Sequence, residues 1–410
     1  MKFRKTIVAG LGLALVPGVL TVALANGTAQ AQPDPSEDPG GANLVAGIPA
    51  EEQADLRAIA RDEGISFDQA VDLYGWQNEY AAAAGALENA YPGSYAGSSM
   101  NVGGTPGATF RFVGKVPAGV EKLTQAIPVA VHFTGEADYT KEEIRVAVEK
   151  AHTAVFEASH SLKGQEVSTE YDEANKTVEV TVAVEASSSD ARGALISVAE
   201  AALQATRLQI PARVSAAAPG STGDDVVRGG VVLGGSSSAS YSCTSGWPVK
   251  EIGVARQGLI TADHCPNSMS YVGRNVLTYR SRLPSSSGDI QYMSSTEEVG
   301  REFYWKVGSY RTVTGLSAPA NDLRLCKFGR SSNETCDSVR DTTTCRDSYC
   351  NLVSMDDREA ASGDSGGPWY YGTIAYGVHS GYHTHLLQKR DQFTPLYNTL
   401  NDVGVKLRTG

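Results

Sequence analysis

The chain has 410 residues, enough for two or three domains that each bury a core. Hydrophobic residues make up 41%, an ordinary share for globular proteins. Against 35 Lys and Arg stand 46 Asp and Glu, and the net charge of -11 argues against a nucleic-acid partner, since nothing would offset phosphate repulsion.

The amino terminus reads as an export signal. Lys2, Arg4 and Lys5 precede an apolar stretch over 7–24, interrupted by Pro17 and Gly18, and Ala29-Gln30-Ala31 follows. A basic flank, a short apolar run and a small-x-small site predict a signal peptide over 1–31, cut after Ala31. An uncleaved anchor is the rival, opposed by the internal Pro-Gly pair and the cleavage site. No later stretch is apolar enough to span a bilayer, so the expected location is extracellular, with no membrane span after signal removal.

Residues 32–48 are rich in Pro, Gly and acids and predict a disordered leader. Helical spacing follows over 50–90, with Leu56, Ile59, Ala60, Ala70, Val71 and Leu73 as apolar positions. Residues 91–107 are rich in Gly, Ser and Pro and read as loop. An α/β domain is expected from about 108 to 214. It has a strand over 127–133, a helix capped by Thr140, a period-two strand over 177–185 and a helix over 191–205. His132, His152 and His160 have no nucleophile or carboxylate cluster beside them in sequence and read as structural. Residues 215–223 are small and polar, a linker of the kind proteases cut. Beyond it, short segments broken by Gly, Ser and Pro predict an all-β barrel or sandwich, ending in one helical run over 396–407.

All six cysteines lie between Cys243 and Cys350. An even count in an exported chain argues for disulfides. Nearness in sequence favours Cys243–Cys265, Cys326–Cys336 and Cys345–Cys350. A zinc site is the rival reading, and the absence of any CxxC pair opposes it.

The reactive chemistry concentrates in TADHC at 261–265 and GDSGGP at 363–368. A serine hydroxyl needs an imidazole within hydrogen-bond reach to take its proton, and these strings supply Ser365 and His264. The base needs an acid to orient it. Asp289, between a turn-prone run and an apolar strand, is preferred over Asp263, which would point the other way, and over Asp322 and Asp347 in loops near cysteines. Residues 363–367 also satisfy the G-x-S-x-G elbow of α/β-hydrolases, an esterase reading. That fold needs a strand–turn–helix and a later histidine, whereas the 45 residues after Ser365 read as strands and one terminal helix.

In the order His, Asp, Ser, with TADHC, GDI and GDSGGP, the chain resembles the chymotrypsin-like serine proteases. It is most similar to their secreted bacterial branch, the streptogrisins and alpha-lytic protease. Arg228-Gly229-Gly230 is similar to the start of a streptogrisin-type mature chain, and Cys243 and Cys265 bracket the histidine as in that family. LCKFGRSSNETC at 325–336 is similar to the family's inter-barrel loop, and GVHSG at 377–381 to the strand lining its primary specificity pocket. The resemblance covers 226–410. It implies an all-β mature domain over 224–410, built of two antiparallel six-stranded β-barrels, to which the sequence reading adds the C-terminal helix. An α/β pro-region over 32–223, cleaved near 222–226, would act as folding assistant and inhibitor. The product would be a monomeric serine endopeptidase acting on protein or peptide substrates, with no cofactor and no metal.

The resemblance also assigns roles. Ser365 attacks, His264 shuttles the proton, Asp289 orients the imidazole, and the N–H groups of Gly363 and Ser365 form the oxyanion hole. Ser380 bonds the buried aspartate, and the backbone of Ser380, Gly381 and Tyr382 pairs with substrate as an added strand. Lys327 or Arg324 pairs with Asp364. The chain departs from the family in having Glu359 where a cysteine is usual and Ser380-Gly381-Tyr382 where Ser-x-Gly is usual. His379 stands where glutamate-specific members carry a histidine, which implies an acidic P1 residue; the other reading is a filler side chain in a barrel strand. Glu359 near the pocket floor counts against an acidic P1 residue, or for a basic one. His383 and His385 read as a metal pair or as solvated surface histidines, with the second favoured. A catalytically inert protease-like binding module is the non-enzyme alternative, and the presence of all three triad members opposes it.

Overall fold

A computed structural model describes residues 45, 47–159, 167–173, 175–183, 189–204, 206, 212–217, 232–235, 242–271, 275–306, 309–385 and 388–410. The signal peptide, the cleavage region at 222–226, Arg228-Gly229-Gly230 and His160 lie outside the described residues. Of the leader only Val45, Gly47 and Ile48 are described, and the Gln53 side chain bonds the backbone of Val45 and Ile48. No helix among the described residues is long and apolar enough to cross a membrane.

The helical spacing over 50–90 resolves into three helices. In α1 (Ala50–Glu63) Leu56, Ile59 and Ala60 are buried, and the helix stops at Gly64. At its φ of 66° Gly64 turns its N–H back to the Ala60 and Arg61 carbonyls, as a glycine C-cap does. A capping box opens α2 (Phe67–Tyr74), with Ser66 Oγ accepting the Gln69 N–H and the Gln69 side chain accepting the Ser66 N–H. Tyr80, Ala81, Ala84 and Leu87 turn α3 (Gln77–Ala90) into the core.

The stretch expected as loop contains a strand. β1 (Tyr95–Asn101) pairs antiparallel with β2 (Gly107–Val113), which pairs parallel with β3 (Ala130–Ala137), and the short α4 (Glu121–Thr124) lies in the crossover. A bulge between Tyr95 and Gly97 breaks the alternation by which a strand announces itself, so composition alone suggested a turn.

Next come α5 (Lys141–Ser159), β4 (Val167–Asp172), β5 (Thr177–Ala183), α6 (Ser189–Gln204) and β6 (Ala212–Ala217). Thr140 caps α5: its Oγ1 accepts the Glu143 N–H at 3.1 Å, and Glu143 Oε2 accepts the Thr140 N–H at 2.8 Å. Thr140→Ala is expected to cost about 1 kcal/mol, read by chemical denaturation of the full chain in a Ser365→Ala background; no change would show that the cap is not used. Ala147, Val148, Ala151 and Val155 of α5 pack with Val178, Val180 and Val182 of β5 and Leu195, Ala199 and Leu203 of α6. Of the linker expected at 215–223 only 215–217 lie within the described residues, and they belong to β6. Residues up to Ala217 continue β6 in a parallel ladder with β5, because a backbone ladder accepts small side chains.

From residue 232 onward the described structure is β-rich. In chain order come β7 (Val232–Gly235), β8 (Ser242–Thr244), β9 (Pro248–Glu251), β10 (Gln257–Thr261), β11 (Met269–Tyr271), β12 (Leu277–Arg282) and β13 (Gln291–Ser295). β14 (Glu302–Lys306), β15 (Ser309–Thr312), β16 (Gly315–Leu316), β17 (Arg324–Gly329), β18 (Asn333–Arg346) and β19 (Tyr349–Met355) follow. β20 (Pro368–Tyr371), β21 (Ile374–His385), β22 (Gln388–Pro395) and β23 (Val405–Leu407) end the chain. β17, β20, β21, β22, β19 and β18 pair in that order, and β17 also pairs with β18, so six strands close a ring of pairings. The other set of strands is divided: five form the order β12-β13-β10-β9-β23, and β11, β7 and β8 form a separate three-stranded sheet.

The expected C-terminal helix is absent. Residues 397–404 are successive turns, with Thr399, Asp402 and Gly404 donating three residues back, and Asn398 has a left-handed φ of 69°. β23 then pairs with β9. Leu396, Leu400 and Val403 are buried at a spacing that imitates a helix, which is why periodicity misled.

The described residues between 45 and 217 are bound closely to those after 231. β4 extends the ring strand β18, pairing Thr169 with Cys345 and Ser168 with Arg346. Buried Asp55 of α1 meets Arg311 at 2.8 Å and accepts the Gly372 N–H. The Gln77 amide both donates to and accepts from the Arg324 backbone.

Candidate active site

β10 ends at Thr261, and His264 follows in the turn that leads to Cys265. Cys265 is bonded to Cys243, and Gln291 Nε2 donates to both the Ala262 and Cys265 carbonyls, at 2.9 and 2.7 Å, so the turn is fixed from two sides. Asp289 sits just before β13, fully buried. Its Oδ1 accepts the His264 backbone N–H at 3.0 Å, and its Oδ2 lies 2.6 Å from His264 Nδ1. His264 Nε2 lies 2.9 Å from Ser365 Oγ. The structure thus brings Asp289, His264 and Ser365, predicted from three separated strings, into one hydrogen-bonded line.

The carboxylate is built to stay ionised. Burial works against its charge, yet His264, the Arg346 guanidinium and the Ser380 hydroxyl outweigh it and hold Asp289 down to about 2. Arg346 was not legible in the sequence as a site residue. It lies 3.8 Å from Asp289 and donates to the Ser380 carbonyl at 3.0 Å and to the Ser380 hydroxyl at 3.1 Å. Asp263 does not bond His264 and instead accepts the Tyr349 hydroxyl at 3.2 Å. Asp322 caps the Met100 N–H, and Asp347 offers its carbonyl to buried His152.

Ser365 stands in a tight turn. Gly363 has φ 101° and Gly366 φ 90°, and a Cβ on Gly366 would fall 2.0 Å from Thr261 Oγ1 and 2.2 Å from the Thr244 carbonyl oxygen. Among the described residues the N–H groups of Gly363 and Ser365 donate to nothing, which leaves two donors beside the Ser365 hydroxyl. Asp364 points inward to Lys327, whose Nζ lies 3.0 Å from Oδ2, and also accepts the N–H groups of Ser331 and Ala361. Both members of the pair are fully buried. Burial opposes the Asp364 charge, and Lys327 with the Ser332 hydroxyl overcomes it and holds the carboxyl well below its usual range. Of the two bases considered, Lys327 takes this place, while Arg324 meets Glu63 and Asp337.

All three disulfides join the cysteines that nearness in sequence favours: Cys243–Cys265, Cys326–Cys336 and Cys345–Cys350. The last closes the β18–β19 hairpin and packs against the core of α5 and α6.

The specificity residues are placed as follows. His379 is buried, and Trp369 Nε1 donates to its Nδ1 at 3.3 Å. Burial, reinforced by Lys327, Arg346 and His264 against the opposing Asp364, keeps its imidazole neutral. Gly381 lies against the Arg346 guanidinium with φ 139°. The Arg358 guanidinium stacks on the Tyr382 ring, 3.8 Å from its centroid. Glu359, expected near the pocket floor, is exposed. Its backbone N–H, with that of Ala360, is held by buried Asp391, which the sequence did not mark as a site residue.

His383 and His385 are not solvated. Both are buried against Glu170 of β4, at 3.3 and 3.0 Å, and Arg390 holds the same carboxylate at 2.7 Å. The donor atoms of Glu170, His383 and His385 lie within 4.8 Å of one another, but the carboxylate's charge is already paired by Arg390. The packing of β4 onto this face could not be read from the sequence. Beside the cluster opens a cavity of about 980 Å³, lined in part by Glu170, Asp341 and Arg390 and by no residue of the Asp289–His264–Ser365 line.

A buried acid, an imidazole and a serine in one hydrogen-bonded line, with two free N–H groups beside the hydroxyl, form the constellation of a serine hydrolase. Solved structures similar to part of the chain include a glutamic acid-specific serine protease that uses a histidine triad in substrate binding. It is 20% identical, and the match covers 44% of this chain and 100% of that one at TM-score 0.38. Thermobifida fusca Protease A is 25% identical over 45% of this chain and 99% of its own, at TM-score 0.37. Nocardiopsis protease is 23% identical over 45% and 100%, at TM-score 0.36. No protein-family model and no curated protein matches the chain.

Proposed function

We propose that the chain is the precursor of a secreted, monomeric serine endopeptidase, with a signal peptide over 1–31, a pro-region over 32–223 and a mature domain over 224–410. The observation that carries this reading is the hydrogen-bonded line from Asp289 through His264 to Ser365. His264 Nε2 takes the Ser365 proton as Oγ attacks a peptide carbonyl, and the N–H groups of Gly363 and Ser365 receive the developing oxyanion. His264 then gives the proton to the leaving amine, and water, activated by the same imidazole, hydrolyses the acyl-enzyme. Asp289 stays ionised and holds the Nδ1–H tautomer in place.

The pro-region reading is supported by the way β4 pairs with β18 and by the buried Asp55–Arg311 contact, which make 45–217 a template for the β-rich part. Such a template assists folding and, while bound, inhibits. The acidic P1 preference considered for His379 has weaker support, because a neutral, Trp369-bound imidazole offers no charge to a carboxylate. The α/β-hydrolase alternative also loses support, since a strand, Pro368–Tyr371, and not a helix follows the serine.

A fluorophosphonate probe added to the processed protein tests the reading. Labelling of Ser365 that is lost in Ser365→Ala, together with cleavage of a denatured protein substrate, is the expected result. Failure of the wild type to label would establish the inert binding module instead.

A further inference from the structure

Two histidines of β21 face a carboxylate that β4 brings to them. His383 and His385 stand two apart on one strand, so both side chains leave the same face of the sheet. Ser168 Oγ donates to the Thr384 carbonyl at 3.2 Å and fastens β4 beside them. Glu170, two residues further along β4, shares the face of Ser168. The Nε2 atoms of His383 and His385 lie 3.3 and 3.0 Å from the Glu170 carboxylate oxygens. Both imidazoles and the carboxylate are buried.

The spacing suits a metal ligand set. Ligand atoms about 2.0–2.1 Å from a tetrahedral zinc lie about 3.3 Å from one another. The three donor atoms here fall within 4.8 Å of one another, a span that side-chain rotations close. Arg390, opposite His383 across β21 and β22, donates to Glu170 Oε1 at 2.7 Å and is itself held by Gln388. It pairs the carboxylate through that one oxygen and leaves Oε2 facing His383. Outer partners of metal-bound carboxylates orient them in this way. Glu170, His385 and Arg390 line the cavity of about 980 Å³ beside the cluster, and acidic residues outnumber basic ones on its wall by seven to four. It gives a cation a path inward and leaves room for a water as fourth ligand. Two imidazoles with one carboxylate suit zinc, whereas calcium and magnesium take oxygen ligands.

We propose that His383, His385 and Glu170 bind one zinc ion, which staples β4 to β21. The ion joins side chains 213 residues apart in sequence. Ser365 and His264 take no part in it, so the site goes beyond the serine endopeptidase reading.

The full chain carrying Ser365→Ala, untagged and stripped of metal with a chelator, is titrated with zinc chloride and separately with cobalt(II). One equivalent of zinc is expected, with a Kd of about 1 µM or tighter, and zinc should raise the Tm. Cobalt should give the strong visible bands of a four-coordinate site. His383→Gln and His385→Gln should each weaken zinc binding by about 100-fold or more, whereas His264→Gln should leave it unchanged. Failure to bind one equivalent of zinc, or the weak bands of six-coordinate cobalt, would overturn the proposal without recourse to the variants, whether or not they fold. Zinc binding lost in His264→Gln but kept in His383→Gln would overturn it too and move the ion to the Ser365 site. None of these readouts needs turnover, so a failure of the protease reading leaves them intact.

Discussion

Asp289→Asn is expected to lower kcat by about 10^4-fold while fluorophosphonate binding geometry at Ser365 is kept. Asn can still accept the His264 backbone N–H, which Oδ1 now holds at 3.0 Å. It cannot accept Nδ1–H and the Ser380 hydroxyl as an anion does, so the imidazole loses both its enforced tautomer and the stabilisation of its protonated form. The check is burst and steady-state kinetics on a chromogenic peptide with the self-processed protein. A fall of less than about tenfold would show that His264 is oriented by something other than this carboxylate. The pH dependence has a definite sign. With the Asp289 carboxyl lowered from 3.8 to about 2, its favourable pairing is complete above about pH 4. It is lost as pH falls through about 2.

Lys327→Met, in β17 behind the serine turn, should destabilise by about 3–5 kcal/mol in the full chain carrying Ser365→Ala to prevent self-cleavage. The ammonium is the only cation bonded to Asp364 among the described residues, and the carboxylate it leaves behind is fully buried. Ser331, Ser332 and Ala361 would still donate, but neutral donors offset only part of a buried charge. The loss should depend on pH. Asp364 contributes stability above its ordinary value of 3.8, so the deficit of the variant is full at pH 7. It shrinks as acid protonates the orphaned carboxylate. Urea midpoints at pH 7 and pH 4 measure this, and an equal deficit at both would refute the assignment of Lys327 as the charge partner.

Much of the candidate site could be read from short strings because its chemistry depends on residues fixed by local backbone. Gly363 and Gly366 are required by the turn at Ser365, and Cys265 ties down the turn of His264, so each string carries its own geometry. Asp289 was legible for a similar reason, standing between a turn-prone run and an apolar strand. Arg346, Gln291 and Asp391 carried no such mark. Each acts on a partner at least 26 residues away: Gln291 on Cys265, Asp391 on Ala360 and Arg346 on Ser380. Elements failed where local spacing and tertiary pairing disagree. The bulge at Gly97 hid β1, while the buried Leu396, Leu400 and Val403 imitated a helix that the left-handed Asn398 does not allow.

The sequence by itself determined the reactive groups, the cysteine pairing by proximity, the helices over 50–90 and the capped helix at Thr140, because these follow from contacts among near neighbours. Only the tertiary structure decided that Lys327 faces Asp364, that His379 is sealed and neutral, and that Glu170 closes over His383 and His385. Those outcomes depend on which distant strands lie side by side, and burial by a remote segment sets the charge state of a side chain without leaving any trace in the residues around it.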